Sequence, residues 1–264
     1  QEGWFESSSI PYPNMANLLD LVALGTVADV VPLDKNNRIL VHQGLQRIRA
    51  GQTRPGMRAL MQVAQRESIQ LQAADFGFAL APRLNAAGRL DDMSVGIACL
   101  LAEDEGVALS LAQQLDVLNR ERKSIETEMK QQAFAIVDGL SLTGEGSYGM
   151  ALYEESWHQG VVGLVASRVK EACYRPVIAF AKADNDTLKG SARSIKGVNI
   201  RDALADLNVL HPGLIIGFGG HAMAAGLTID EDKISNLQDF IEGRLSNNEQ
   251  LNDNIENYAD SIIN

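Results

Sequence analysis

The chain is organised around one long segment, Glu103–Leu140, which reads EDEGVALSLAQQLDVLNRERKSIETEMKQQAFAIVDGL. It contains no proline, and its only glycines are Gly106 and Gly139. Its apolar residues lie mainly three, four or seven positions apart: Val107, Leu111, Leu115, Leu118, Ile125, Met129, Phe134 and Val137. This spacing predicts a single helix. At a rise of about 1.5 Å per residue the helix would be roughly 50 Å long, too long for the inside of a small domain, so we expect it to connect two domains.

The sequence has a different pattern on each side of this helix. Residues 1–102 show helical spacing from Asn14 to about Gly25 and at Asn36–Ala50, Met57–Arg66 and Ala73–Leu80, followed by a predicted loop at Pro82–Asp92. Residues 141–246 alternate between predicted strands (Tyr148–Tyr153, Pro176–Phe180, Leu188–Ser194, Leu214–Ile216) and predicted helices (Gly160–Cys173, Asn199–Leu210, Lys233–Leu245). Such alternation is typical of an α/β domain with helices packed on a sheet. Residues 247–264 are predicted to be a linker or tail.

The composition excludes several classes of protein. Of the 264 residues, 45% are hydrophobic and 22% are charged, as in soluble globular proteins. No apolar run reaches the ~18–20 residues of a transmembrane helix, so we expect no membrane partner. The net charge of −11 argues against a protein that coats nucleic acid through its overall charge, although basic residues predominate between Lys35 and Arg89. Cys99 and Cys173 lie too far apart for a zinc or redox motif, which predicts two buried thiols in a cytoplasmic protein.

The sharpest local motif is the glycine-rich stretch GFGGHAMAAG at Gly217–Gly226. Glycines that follow a short strand let backbone N–H groups approach an anion closely. A dinucleotide-binding fingerprint is disfavoured, because the following helix would hold only His221–Ala225 and the acidic residues at Asp230–Asp232 come too early for a ribose contact. The motif predicts either a packing turn or a site that faces substrate, and the histidine beside Gly219 and Gly220 favours the site.

A second motif, KGSARS, carries groups suited to phosphate on one predicted strand. It combines a lysine, an arginine and two hydroxyl groups, the second of them on Ser194. Alternation along a strand directs Lys189, Ser191 and Arg193 to the same face. The alternative is a solvated edge strand.

Polar groups in two predicted loops are further candidates. In the segment WHQG, His158 and Gln159 precede a predicted helix and either cap it or donate to a bound anion. In the segment PRLNAAGRLDD, two arginines and an amide surround a glycine and are suited to phosphate or base contacts: Arg83, Asn85 and Arg89. A loop held by salt bridges to its own aspartates is the alternative.

Asp29 follows an apolar helix in the segment ALGTVAD. Burial of a lone carboxylate in such a setting would cost a few kcal/mol unless the group is paired. A metal ion would remove that cost, and so would a capping or hydrogen-bonding role. Both interpretations remain open from the residues alone.

Five segments together resemble one known family. They are LDLVALGTVADVVPLDKNNRILVHQGLQRIRAG, APRLNAAGRLDDMSVG, WHQGVVGLVASRV, KGSARS and GFGGHAMAAG. In this order and at this spacing they resemble the DHH phosphoesterase family, and within it the exonucleases specific for single-stranded DNA. The resemblance covers almost the whole chain up to about Leu245.

The resemblance implies a fold, an activity and a set of functional residues. The implied fold is the helical C-terminal part of a DHH domain, a long connecting helix and an α/β DHH-associated domain with a mixed sheet. The implied activity is 5′–3′ hydrolysis of single-stranded DNA in recombination and repair, with two divalent metals, Mn²⁺ or Mg²⁺. By residue match, Asp29 is an expected metal ligand. The expected contacts to the 5′ end of the strand are Arg83, Asn85, Arg89, His158, Ser191, Arg193, Ser194, Gly219, Gly220 and His221.

The remaining metal-binding motifs of the family have no counterpart in this sequence. None of its four histidines neighbours another histidine or follows an aspartate. On the family pattern those motifs precede Gln1, so we expect a piece of a longer protein. One aspartate cannot hold two dications, so we expect the chain alone to be catalytically inactive. Two other functions stay open: a phosphoesterase for cyclic dinucleotides or short oligonucleotides, and a non-catalytic nucleic-acid-binding module.

Overall fold

The computed structural model describes residues 12–141 and 148–246. The chain consists of two compact units, with the boundary between Glu121 and Arg122. The helical part consists of a 3₁₀ turn (Met15–Leu18), α1 (Leu19–Ala28), α2 (Lys35–Arg49), α3 (Pro55–Val63), a 3₁₀ turn (Ser68–Gln70), a short helical turn (Ala73–Asp75), a π-helical segment (Phe76–Leu80), α4 (Ala81–Leu90), α5 (Ser94–Leu101) and α6 (Glu105–Ser141). The predicted long helix is confirmed: α6 is continuous over 37 residues.

The helical unit forms because apolar residues at helical spacing meet in one core. Along α2, Val41, Leu45 and Ile48 are buried, four and three residues apart, and the side chain of Asp34 caps the helix by accepting from the backbone N–H of Asn37. These side chains belong to a cluster that includes Leu60 of α3. The helices predicted at Asn36–Ala50 and Met57–Arg66 are therefore present, with ends shifted by a few residues.

The loop predicted at Pro82–Asp92 is wrong, because this segment forms helix α4. Pro82 closely follows the π-helical segment Phe76–Leu80, a local departure from α-helical hydrogen bonding that accommodates a residue without an N–H inside a continuous helical run. Leu84 and Ala87 are buried three residues apart and anchor the helix to the core. Pro82 and Gly88 suggested a break in the helix, but the helix continues through both residues.

The second unit is built on a mixed five-stranded sheet. Its elements are β1 (Met150–Tyr153), α7 (Val162–Cys173), β2 (Val177–Lys182), β3 (Thr187–Arg193), α8 (Ile200–Leu210), β4 (Gly217–His221), β5 (Ala224–Asp230), a 3₁₀ turn (Glu231–Lys233) and α9 (Ile234–Ser246). The strand order is β1-β2-β3-β5-β4, with β1 and β2 parallel and the other pairs antiparallel. The predicted mixed sheet with packed helices is confirmed.

Alternation along β3 and β5 separates the two faces of this sheet. Leu188 and Ala192 of β3 are buried in a cluster with residues of α8 and α9, such as Leu204 and Leu237. Lys189, Ser191 and Arg193 alternate with these residues and point to the opposite face, and α7 packs against β2 and β3. One face is therefore core, and the other presents the polar side chains of KGSARS.

The glycine-rich motif is a strand pair rather than a loop leading into a helix. No strand occurs at Leu214–Ile216, and β4 begins at Gly217 instead. β4 turns at Ala222 and Met223 into β5, a strand that the sequence analysis missed. Glycine has a low intrinsic propensity for β-strands, so β4 depends on its backbone hydrogen bonds to β5.

The prediction of two buried thiols is confirmed for one cysteine only. Cys99 is fully buried, whereas Cys173 is only partly buried. Burial raises the pKa of the Cys99 thiol to about 11.

The predicted tail at 247–264 lies outside the described residues. Among the helices of residues 12–141 and 148–246, none has an apolar stretch long enough to span a lipid bilayer.

Candidate functional site

The strand register aligns the polar motifs of the second unit in rows across β3, β5 and β4. Arg193 pairs with Ala224, which pairs with His221; Ser191 pairs with Gly226, which pairs with Gly219; and Lys189 pairs with Thr228, which pairs with Gly217. Directly paired residues project from the same face of a sheet. KGSARS and the glycine-rich motif, 23 residues or more apart in sequence, thus share one face, called the polar face below.

The polar face has a floor of glycine. A Cβ atom on Gly217 or Gly219 would have no neighbour within 4 Å, and one on Gly226 would meet only the carbonyl oxygen of Gly190 at 3.9 Å. None of these three glycines has a positive φ. Neither packing nor backbone conformation therefore requires glycine here. Glycine inside a strand costs roughly 0.5–1 kcal/mol, so its use where a side chain would fit points to close approach by another molecule.

A groove lies over this floor. It has a volume of about 450 Å³ and is lined by Gln159, Lys189 and Ser191 on one side and by Gly217, Gly226 and Thr228 on the other. Ser191 is the one lining residue that belongs to the expected set of substrate contacts. Thr228 was not recognised from sequence, although the alternation of Ala225, Leu227 and Ile229 with polar or glycine residues would have predicted β5.

Arg193 and His221 lie in the row next to the groove, at opposite ends of that row. Two strand spacings separate them, about 10 Å between backbones. Arg193 is half-buried, and a Cβ on Gly163 of α7 would lie 2.8 Å from its Nη2 atom. Gly163 therefore lets the first turn of α7 pack on the guanidinium. His221 is exposed at the end of β4.

The WHQG loop is tied to helix α6 and to the end of β2. The indole Nε1 of Trp157, which is 4% exposed, donates to Oε1 of Gln132 on α6 at 2.8 Å. His158 Nδ1 accepts from the backbone N–H of Gly160, and Gln159 Nε2 donates to the carbonyl of Lys182. The His158 side chain thus holds the turn before α7 and does not cap the helix, whose N-cap residue is Val161 with no side-chain cap. Gln159 lies beside His158 in the groove wall.

Two expected substrate contacts have structural roles instead. Ser194 is 1% exposed, and its hydroxyl donates to the carbonyl of Val198 at 2.7 Å, so it cannot present that group to a ligand. Gly220 has φ +149°, and a Cβ there would lie 2.5 Å from the carbonyl oxygen of Ala224. Gly220 is therefore required by the hairpin itself. We leave both residues out of the site proposed below.

In the helical unit, the three expected contacts on α4 differ in availability. Arg83 is engaged inside the unit: it forms an ion pair with Asp116 on α6 and donates to the carbonyls of Ala79 and Val63. Its guanidinium holds α4 in place. Arg83 is therefore not a loop residue whose side chain is open to substrate. Asn85 is exposed and Arg89 is half-exposed. Both stay candidates for contact with a ligand.

Asp29 is exposed at the C-terminal end of α1, so the expectation of a buried carboxylate is wrong. The next residue, Val30, has φ +53° and is 86% exposed. A β-branched residue rarely adopts this left-handed conformation.

Within the described residues, no group of three His, Cys, Asp or Glu side chains could hold a metal ion. These residues therefore do not fit a complete two-metal site, and Asp29 can supply at most one ligand.

The carboxylate that is buried in this unit is Asp20, which the sequence analysis did not single out. It is 3% exposed and accepts from Thr53 Oγ1 at 2.8 Å, from the backbone N–H of Arg54 and from Arg54 Nε at 3.1 Å. Burial opposes ionisation, but the hydrogen bonds from Arg54 and Thr53 outweigh it and hold the pKa of Asp20 below its usual value. Asp20 thus joins α1 to the start of α3.

Comparison with known proteins shows which proteins share this sequence and arrangement. Residues 146–247 match the DHHA1 domain model. Over 238 residues the chain is 58% identical to the single-stranded-DNA-specific exonuclease RecJ of Escherichia coli K12, an alignment that covers 90% of this chain and 41% of that protein. The chain is homologous to part of RecJ. RecJ of Bacillus subtilis is 37% identical over 224 residues, covering 84% of this chain and 27% of that protein.

Solved RecJ structures share the fold. RecJ of Thermus thermophilus in complex with Mg²⁺ matches with a TM-score of 0.77 and 32% identity, over 92% of this chain and 36% of that one. A further solved structure, of exonuclease RecJ bound to manganese, matches with a TM-score of 0.74 over 92% of this chain and 58% of that one. The chain spans about two fifths of the length of its Escherichia coli relative. The resemblance to this exonuclease group is confirmed, including the helical part followed by the mixed sheet.

Proposed function

We propose that this chain supplies the strand-holding part of a metal-dependent 5′–3′ exonuclease for single-stranded DNA. The observation that carries the proposal is the glycine floor of the polar face, between Ser191 and Gly219, with Arg193 and His221 in the adjacent row. The relatives named RecJ are the reason to choose single-stranded DNA among polyanions.

The chemistry of the polar face suits phosphate oxygens. A guanidinium, a hydroxyl and an imidazole can donate to phosphate, while the glycine floor lets the sugar–phosphate backbone lie close to the sheet. Contacts of this kind hold a strand without reading its sequence, as a nuclease that digests any sequence requires. Asn85 and Arg89 of the helical unit are proposed as further contacts to single-stranded DNA.

Hydrolysis is proposed for the complete protein, with Mn²⁺ or Mg²⁺ supplying the charge that polarises the phosphodiester. In that setting Asp29 would be one ligand among several. The residues of the polar face then bind and orient the 5′ end. The local positive groups also explain how a chain of net charge −11 could hold a polyanion, because phosphate contacts act at short range.

Binding is tested with the 264-residue chain and fluorescein-labelled oligothymidines in fluorescence anisotropy. We expect a single strand with a 5′-phosphate to bind more tightly than the same strand with a 5′-hydroxyl, and a blunt duplex to bind more weakly than either. Arg193→Ala and His221→Ala should each weaken binding to the phosphorylated strand. If a cyclic dinucleotide competes better than the phosphorylated strand, the small-substrate alternative replaces this proposal.

A cleavage assay tests the metal-site conclusion separately. The 264-residue chain, incubated with Mn²⁺ and 5′-labelled single-stranded DNA, should release no labelled mononucleotide, because the described residues do not complete a metal site. Escherichia coli RecJ is the positive control in the same buffer. Robust metal-dependent degradation by the chain would contradict the prediction of inactivity and leave the binding proposal intact.

A further inference from the structure

The polar face continues beyond Ser191 and Arg193 into a third row, which the proposed function does not use. This row consists of Lys189 on β3, Thr228 on β5 and Gly217 on β4. Resting on the proposed function, we propose that this row is a second phosphate subsite, which binds the phosphate next to the one held at Ser191 and Arg193.

The spacing of the rows supports one phosphate per subsite. Residues on the same face of a strand are two positions apart, about 6.8 Å along β3. This separation is comparable to that of successive phosphates in an extended single strand. A strand that lies along β3 with one phosphate at Ser191 therefore brings the next phosphate to Lys189.

The groups in the third row are available to a ligand. Lys189 is exposed, and among the residues that the structure describes its ammonium group makes no hydrogen bond or ion pair. The half-buried Thr228 and exposed Gly217 line the same groove, and a Cβ on Gly217 would have no neighbour within 4 Å. An ammonium over an open floor is suited to a phosphate as a point charge.

A carboxylate limits the number of subsites in this direction. The next row pairs Thr187 with Asp230, which is exposed. Its negative charge lies one row beyond Lys189 and would repel a further phosphate. The polar face is thus a short site for two neighbouring phosphates rather than an open-ended track.

The test compares ligands with one and two phosphates. Thymidine 5′-phosphate (pT), 5′-phosphorylated dithymidylate (pTpT) and a 5′-phosphorylated thymidine tetranucleotide compete with a labelled strand for the 264-residue chain. Lys189→Ala should weaken pTpT by about three- to tenfold, the effect of losing one charge-assisted hydrogen bond, and should change pT much less. Arg193→Ala should weaken both ligands. Lys170→Ala, which removes a lysine in the last turn of α7, is the matched charge control and should change neither.

Salt dependence and the charge at Asp230 give independent readouts. For single strands, loss of one phosphate contact reduces the slope of log K against log salt by about 0.7, and Lys189→Ala should show this reduction with the tetranucleotide. Asp230→Asn should strengthen binding of the tetranucleotide more than binding of pT. Circular dichroism of each variant checks that the sheet is intact.

The outcomes separate this inference from the proposed function. If Lys189→Ala binds pTpT like the unaltered chain while Arg193→Ala does not, the second subsite is wrong and the proposed function stands. If Lys189→Ala weakens pT and pTpT equally, the lysine belongs to the first phosphate site and the two-row assignment fails. If the unaltered chain binds none of the phosphorylated ligands, the proposed function fails and the subsite with it.

Discussion

At the scale of single residues, two adjacent glycines of the GFGGH strand have different physical reasons to be glycine. Gly220 is constrained by φ +149° and by the carbonyl of Ala224, only 2.5 Å from where its Cβ would lie. Gly219 has no such constraint and faces open space. The motif therefore combines one glycine that the hairpin needs and one that leaves room for a ligand.

This difference predicts opposite effects of two alanine substitutions. Gly220→Ala should lower the free energy of unfolding by about 1–3 kcal/mol, because alanine is strained in that conformation. Gly219→Ala should leave it unchanged or raise it by up to about 1 kcal/mol while weakening binding of 5′-phosphorylated DNA, because the methyl group occupies the floor. Urea denaturation and anisotropy measure the two effects. A stable Gly219→Ala variant with unaltered DNA affinity would contradict the role of the floor.

At the scale of elements, buried polar contacts set how neighbouring segments meet. Asp20 of α1 accepts hydrogen bonds from the backbone N–H of Arg54 and from the hydroxyl of Thr53. Arg54 is the N-cap residue of α3. Trp157 and Gln132 likewise join the loop before α7 to α6. In both places one side chain satisfies groups that a helix end or a loop would otherwise leave unpaired.

The Asp20 contact predicts a specific response to acid. Its pKa in the folded chain lies below the unfolded value of about 3.9, so its stabilisation is present above that pH and is lost as the pH falls through the folded pKa. Asp20→Asn should cost about 2 kcal/mol at pH 7 and remove this part of the acid sensitivity. Urea denaturation between pH 7 and pH 3 measures both effects.

The control for this prediction is Asp91→Asn, which alters an exposed aspartate after α4. It should leave both the stability at pH 7 and the acid response nearly unchanged. Equal acid sensitivity in the Asp20→Asn variant and the unaltered chain would show that other carboxylates dominate acid unfolding.

At the scale of the whole molecule, each unit has its own hydrophobic core. One cluster includes Ile48, Leu60 and Phe76 of the helical unit, and the other includes Phe180 and Leu227 of the sheet unit. The buried residues of the two clusters do not overlap. We therefore expect each unit to lose stability by local unfolding of its own core.

A substitution inside one core should reveal this independence. A Cβ on Gly190 would lie 2.5 Å from the ring of Phe180 and 2.7 Å from Leu227, so Gly190→Ala should destabilise the sheet unit. Hydrogen–deuterium exchange should then rise in β2, β3 and β5 and stay unchanged in α1, α2 and α3. An equal rise in all six elements would indicate one cooperative unit.

Much of the fold could be predicted from local pattern. The spacing of Val41, Leu45 and Ile48 predicted α2, and the absence of proline between Glu103 and Leu140 predicted α6. Alternation in KGSARS correctly placed Lys189, Ser191 and Arg193 on one face of β3. These features follow from periodicity, which reflects burial on one side of a single element.

The misassigned segments depended on partners distant in sequence. Pro82 and Gly88 suggested a loop, but burial of Leu84 and Ala87 against the core stabilises α4. The glycines of β4 have little strand propensity and are held by hydrogen bonds to β5. Ser194 carried the right chemistry, yet its hydroxyl is used by Val198.

The sequence alone therefore determined most of the helices and strands, the presence of a long helix and the resemblance to DHH-family exonucleases, because these depend on spacing and on residue identity along the chain. Only the tertiary structure decided which polar groups meet. Pairing of β3, β5 and β4 brings Lys189, Ser191 and Arg193 alongside the open glycines, and the burial of Asp20 with Arg54 identifies the carboxylate that stabilises the helical unit. Such contacts join residues far apart in sequence, and register and packing fix them where local periodicity cannot.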